Sequence, residues 1–266
     1  MEVPFLLFSG SRTRAVREVD TVRAMSFGPV EKLTPPPLPL LALEGRAGLE
    51  FGLLLASLPL LRSLPRGDGH PVLVFPGFTA GDVSTLALRQ FLQRLGYRVH
   101  GWRLGPNRGP SSEILSGMQL RFEELRDRYQ QKISLIGWSL GGIYAREIAR
   151  AFPRHVRQVI TLASPFKDPM ANNVSFLASA AAAGLESEPA LLEQLRRPVR
   201  VPTTAIYTRT DGIVNWRSCV EKEGPLTENV GVWSSHCGLG HHPTTFRVIA
   251  DRLSQKEGAW TPFDPQ

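Results

Sequence analysis

The chain has 266 residues, 42% of them apolar and 21% charged, a balance that supports a sizeable core and excludes a disordered chain. The formal net charge is +7, carried mostly by arginine. These arginines are scattered, as in Arg12, Arg14, Arg17 and Arg23 and then Arg121, Arg126 and Arg128, without a recognition-helix, zinc-finger or RNA-binding signature. The charge therefore reads as a solvated basic surface, and no nucleic-acid partner is expected.

Taken in chain order, residues 1 to about 37 read as an irregular arm ending in Pro35-Pro36-Pro37. The apolar stretch Pro4 to Phe8 is too short for a secretory signal, and Glu2 stands where an early positive charge is usual. About 38–65 reads as one or two apolar helices broken by Gly48, Gly52 and Pro59. The longest uncharged run there, Phe51 to Leu61, falls short of the roughly 20 residues a spanning helix needs. A cytoplasmic protein is the expectation. Packing on the sheet is the favoured role of this leader, ahead of peripheral membrane contact. The chain divides into a leader over 1–65 and a main domain over 66–266.

From residue 70 short apolar runs alternate with helical periodicity. Val72-Leu73-Val74-Phe75 predicts a buried strand, Ser84 to Leu95 a helix, Tyr97 to Trp102 a strand, and Ile114 to Tyr129 a long amphipathic helix. Ile133 to Ile136 predicts a strand, the Tyr144, Ile148 and Phe152 spacing a helix, and Val159 to Leu162 a strand. An insertion at about 168–199 breaks the rhythm and holds a short helix, Pro189 to Arg196. Strands at Thr203 to Tyr207 and Asn229 to Trp233 follow, then a helix through Phe246, Ile249, Ala250 and Leu253. Such alternation predicts an α/β fold with a mostly parallel central sheet covered on both faces. Sites in such sheets lie beyond the carboxyl ends of the strands.

The chemical residues fall at those ends. Gly137-Trp138-Ser139-Leu140-Gly141-Gly142 follows a buried strand and opens a helix, the context in which G-x-S-x-G marks a nucleophile. A serine on so sharp a turn needs glycines on either side, because flanking side chains would clash. The turn leaves Leu140 N–H at the positive end of the helix, suited to an oxyanion. The loop Phe75-Pro76-Gly77-Phe78 places Phe78 N–H as a second donor.

An elbow serine needs a carboxylate and then a histidine, in that chain order. Asp211 ends a strand in Thr208-Arg209-Thr210-Asp211-Gly212. Its rival, Asp168, reads as a turn residue in Lys167-Asp168-Pro169. His236 stands closest to the end of the last strand, whereas His241 and His242 are accounted for by capping or solvent exposure. His70, His100 and His155 are assigned no chemistry.

Together Phe75 to Phe78, Gly137 to Gly142, Thr210 to Val214 and Ser235 to Leu239 resemble the α/β-hydrolase superfamily, in its lipase and esterase branch, over about residues 70–260. Pro76 departs from the common His-Gly oxyanion signature, although lipase-like members also use Pro-Gly. The resemblance implies a serine hydrolase acting on small-molecule or lipid esters of apolar acyl groups, with Ser139, Asp211 and His236 as its triad and no metal or organic cofactor. The same triad would serve a thioesterase or an acyltransferase, and a binding protein of this fold that has lost activity is a third reading. The insertion falls where this superfamily commonly carries a lid, with Phe176, Leu177 and Trp138 as candidate substrate-binding residues. Cys219 and Cys237 follow the acid and the base closely, which leaves open either a disulfide between the two loops or two free thiols.

Overall fold

The computed structural model describes residues 33–174 and 189–264. Its core is a six-stranded sheet, β1 (Pro71–Phe75), β2 (Arg98–Gly101), β3 (Ile133–Trp138), β4 (Val156–Leu162), β5 (Thr203–Tyr207) and β6 (Thr227–Gly231), in the order β2-β1-β3-β4-β5-β6. Every pairing between neighbours is parallel.

The helices are α1 (Leu38–Ala42), α2 (Ala47–Leu61), α3 (Leu86–Arg94), α4 (Ser112–Tyr129), α5 (Leu140–Ala151), α6 (Pro189–Arg196) and α7 (Pro243–Ser254). Strand side chains alternate between two cores, as the pleat requires. Leu73, Phe75 and Leu135 face Met118 and Phe122 of α4 and Ile143 and Ile148 of α5. Val72, Val74 and Ile136 face Leu54 of α2, Leu92 of α3 and Phe246 and Ile249 of α7.

Helix ends follow local chemistry. Ser111 Oγ accepts the Ile114 N–H at 3.2 Å to start α4, and Gln130 ends it in a left-handed conformation. Pro243 opens α7, with His242 Nδ1 accepting the Thr244 N–H at 3.2 Å. Among the described residues no helix is long and apolar enough to cross a membrane.

Several boundaries differ from the sequence expectation. Gly48, Gly52 and Pro59 lie inside α2 and do not break it. Leu54 and Leu61 are buried against the domain, and tertiary packing outweighs weak propensity. A 3₁₀ turn, Asp82–Thr85, precedes α3 where one helix was expected. The last strand starts two residues before Asn229 because its limits follow its pairing with β5, from Thr203 opposite Thr227 to Tyr207 opposite Gly231.

The topology marks out a candidate functional region. From β1 the chain steps outward to β2, then crosses back over β1 to β3 and proceeds the other way. The switch point is the gap between β1 and β3, where a crevice opens beyond the strand ends.

Candidate active site

Ser139 stands directly after β3 with φ +52° and ψ −122°. A non-glycine residue held there stores about 1–3 kcal/mol of strain. Close packing holds it. A Cβ on Gly137 would lie 2.3 Å from Gly141 O, and one on Gly141 would lie 2.5 Å from Phe75 O. Only hydrogen fits at either position, so the glycines serve contact between β1, the elbow and α5. The Pro76–Phe78 loop lies against the elbow: a Cβ on Gly77 would stand in ordinary contact with Ser139 Cβ, at 3.4 Å. Leu140, the first residue of α5, is buried beside it.

That loop has a brace that the sequence reading passed over. Asn107 is fully buried; its Nδ2 donates to Pro76 O at 3.0 Å and its carbonyl accepts the Thr79 N–H at 2.7 Å. Its Oδ1 accepts from Gly109 N at 3.2 Å and from the Tyr144 hydroxyl at 3.3 Å. An asparagine in an irregular Gly-Pro-Asn-Arg-Gly loop carries no sequence signal for this role.

Asp211 and His236 are buried together. His236 Nδ1 lies 2.7 Å from Asp211 Oδ2. The other carboxylate oxygen, Oδ1, accepts the N–H groups of Ile213 and Val214, both at 2.8 Å. Burial by itself pushes the His236 pKa down; the charge and hydrogen bond of Asp211, with a further contribution from Glu44, outweigh it, and the net direction is upward. With Nδ1 engaged by Asp211, the ring's other nitrogen is the one left for proton transfer.

The elbow is tied to the histidine loop by Trp138, whose indole N–H donates to His236 O at 3.2 Å. Ser139 and His236 line one cavity of about 570 Å³, together with Phe78, Trp138, Val174, Ile213 and His241. Arg46 of the leader reaches the loops that carry Asp211 and His236, donating from Nη2 to Thr210 O at 3.0 Å and to Ser234 O at 2.7 Å.

The remaining candidates divide. Phe176 and Leu177 lie outside the described residues, as does the middle of the expected lid, 175–188. Asp168 Oδ1 accepts the Met170 N–H at 3.1 Å, the behaviour of a turn residue. His242 caps α7, as described above. His241 departs from the expectation of capping or exposure: it lines the cavity, edge-on to Trp138 at 5.4 Å between ring centres. Cys219 and Cys237 are free thiols, the first buried and the second exposed, so no disulfide joins the two loops.

A second serine–histidine–aspartate set lies at the other end of the sheet. His70 Nε2 is 2.8 Å from Ser134 Oγ, and His70 Nδ1 is 2.5 Å from Asp68 Oδ1. Ser134 is wholly buried inside β3, so a substrate has no route to its hydroxyl. This set satisfies buried polar groups.

No protein-family model matches the chain. A stretch of 98 residues is 31% identical to a pimeloyl-[acyl-carrier protein] methyl ester esterase of Shewanella oneidensis, covering 37% of this chain and 36% of that protein. A stretch of 106 residues is 30% identical to the protein of the same name in another Shewanella species, covering 40% and 39%. The match therefore spans little more than a third of the length of these curated relatives. Among solved structures, Aspergillus fumigatus lipase B superposes with a TM-score of 0.56 at 16% identity over 74% of this chain and 55% of that one. Bacillus licheniformis lipase BlEst2 gives a TM-score of 0.54 at 16% identity over 73% and 95%. Paleococcus ferrophilus monoacylglycerol lipase gives 0.54 at 16% over 71% and 95%. With its parallel sheet, its switch-point cavity and its strained serine elbow, the chain has the α/β-hydrolase fold.

Proposed function

We propose that this protein is a carboxylic ester hydrolase that cleaves esters of apolar acyl groups through an acyl-enzyme on Ser139. The observation that carries the proposal is the strained serine in a cavity it shares with a histidine whose Nδ1 is held by a buried aspartate. The sequence similarity to methyl ester esterases supports the reaction class.

In this reading the substrate carbonyl sits over Ser139. His236 Nε2 takes the hydroxyl proton as Oγ attacks, and the carbonyl oxygen becomes an oxyanion facing the Leu140 and Phe78 N–H groups. One such donor contributes about 3 kcal/mol to the transition state. Imidazolium then gives its proton to the leaving alkoxide, and the alcohol departs. A water, deprotonated by His236, attacks the acyl-enzyme. Ser139 regains its proton as the carboxylic acid leaves. Phe78, Trp138, Val174 and Ile213 give the cavity an apolar lining suited to an acyl chain.

A series of p-nitrophenyl esters of increasing acyl length tests substrate class. kcat/KM is expected to rise from acetate to medium chains as each added methylene is buried, at up to about 0.8 kcal/mol per methylene. A profile that falls steadily from acetate would remove the apolar-acyl part of the proposal.

Proton transfer requires neutral imidazole, so activity is lost as pH falls through the His236 pKa. That pKa is raised, and the acidic limb of kcat/KM is therefore expected above the ordinary histidine value of 6.5. A limb below that value in a pH-rate profile would contradict the assigned Asp211–His236 coupling.

A further inference from the structure

The leader carries two carboxylates whose positions the proposed reaction has not used. Glu44 lies in the 3₁₀ turn Leu43–Arg46 and is buried, in a segment otherwise rich in leucine. Its Oε1 accepts the Gly212 N–H at 2.8 Å and the His236 N–H at 3.0 Å, and its Oε2 accepts the Cys237 N–H at 2.9 Å. Gly212 directly follows Asp211, and His236 is the base itself. One side chain thus joins the backbones of the acid and base loops, more than 160 residues downstream of it.

Glu50 extends the grip by one residue. Its Oε1 accepts the Ser235 N–H at 2.8 Å and its Oε2 accepts from Ser235 Oγ at 2.5 Å. The approach depends on two glycines. A Cβ on Gly212 would stand 2.3 Å from Leu40 O, and one on Gly238 would stand 1.4 Å from Glu50 Oε2. The backbone is shaped to admit the leader at both loops. Without Glu44, three N–H groups packed under the leader lose their acceptor. The loops would have to shift to recover partners, and the Asp211–His236 pair would shift with them.

We infer that Glu44 is a positioning residue for the reaction, a leader-borne carboxylate that fixes the acid loop and the base loop in register by accepting backbone N–H groups from both. This rests on the Ser139–Asp211–His236 reading above. It assigns the leader a part in catalysis although Glu44 touches neither substrate nor the reacting atoms. The charged and titratable groups around His236 are Asp211 at Nδ1, Glu44 behind the backbone, Glu50 and Arg46 beyond it, Cys237 next in the chain and His241 across the cavity.

The test compares the full-length protein with Glu44→Gln and Glu44→Asp. Glutamine keeps the length but loses the charge and turns an amide N–H against the N–H of Cys237. For Glu44→Gln, kcat is expected to fall roughly 100-fold with KM little changed, the effect of a displaced catalytic group. The acidic limb is expected to move to lower pH, because a negative charge near His236 is lost. For Glu44→Asp, which keeps the charge, the limb stays and kcat falls by less. If Glu44→Gln fails to fold, Glu44→Asp decides, and wild-type kcat in that variant overturns the inference. So does an active Glu44→Gln whose kcat drops only in proportion to its unfolded fraction with the limb unmoved. A wild-type protein that neither hydrolyses esters nor labels at Ser139 with a fluorophosphonate defeats the functional reading instead. The downfield proton resonance of the Nδ1–H···Oδ2 bond then decides the positioning role. Faster solvent exchange of that proton in Glu44→Gln supports it, and an unchanged resonance overturns it.

Discussion

Ser139→Ala is expected to lower kcat for ester hydrolysis by about 10⁶-fold, the loss seen when the nucleophile of a triad is removed alone. The residual rate would come from the oxyanion donors and from substrate binding, which the substitution leaves in place. Stability should hardly change. The backbone at φ +52° is held by packing on Gly137, Gly141 and Gly77 and by the bond from Ser139 N–H to Leu162 O at 2.8 Å, none of which involves the hydroxyl. Alanine carries the same Cβ into the same strained region. The variant should therefore unfold at the wild-type urea midpoint while failing to label with a fluorophosphonate. Ser134→Ala is the matched control. Ser134 lies near the start of β3 and Ser139 just past its end, about 16 Å apart at the rise of an extended strand. That control should keep full activity and lose some stability, since His70 Nε2 loses its partner. Hydrolysis at the wild-type rate in Ser139→Ala, or its loss in Ser134→Ala, would mean that the reacting serine has been misassigned.

The contrast between these two serines shows what the sequence could and could not say. Ser139 was legible because its environment is local: a strand, a turn with glycines at fixed offsets and a helix, all within about ten residues of chain. Asp211 and His236 stood out as candidates because each follows a strand, in the chain order serine, acid, histidine that the elbow pattern calls for. The strands themselves were short apolar runs bounded by turn residues, and only their ends shifted, where pairing with a neighbour rather than composition sets the limit. What escaped was long-range. Glu44 and Glu50 stand in a leucine-rich stretch with no motif around them, and only the fold reveals that buried N–H groups of loops far downstream await them. Gly212 follows Asp211 directly, and its lack of a side chain makes room for Leu40 O, a role no local pattern marks. Asn107 carries no periodicity or motif at all. The apparent signal in the leader was the pair of acidic residues six apart in a run too apolar to leave them solvated, which is a reason to look for partners.

Asp211→Asn is expected to cost about 10⁴-fold in kcat with substrate binding largely kept, as when the orienting carboxylate of such a triad becomes an amide. The structure gives this loss a definite cause. Two N–H groups, from Ile213 and Val214, converge on Oδ1 at 2.8 Å. An asparagine must keep its carbonyl oxygen there, because the reverse orientation would set its amide hydrogens against two donors. Its NH₂ group is thereby directed at His236 Nδ1, 2.7 Å from where Oδ2 stood. Nδ1 must then accept, the ring proton moves to Nε2, and the nitrogen needed as a base arrives already protonated. The acidic limb should also move to lower pH, since Asp211 is the principal influence raising the His236 pKa. Asp168→Asn, altered in a turn away from this pair, should change neither quantity. Near-wild-type turnover in Asp211→Asn would show that His236 is held in its working tautomer by something else. The burial of both side chains, and the full use of both carboxylate oxygens, make that outcome physically hard to accommodate.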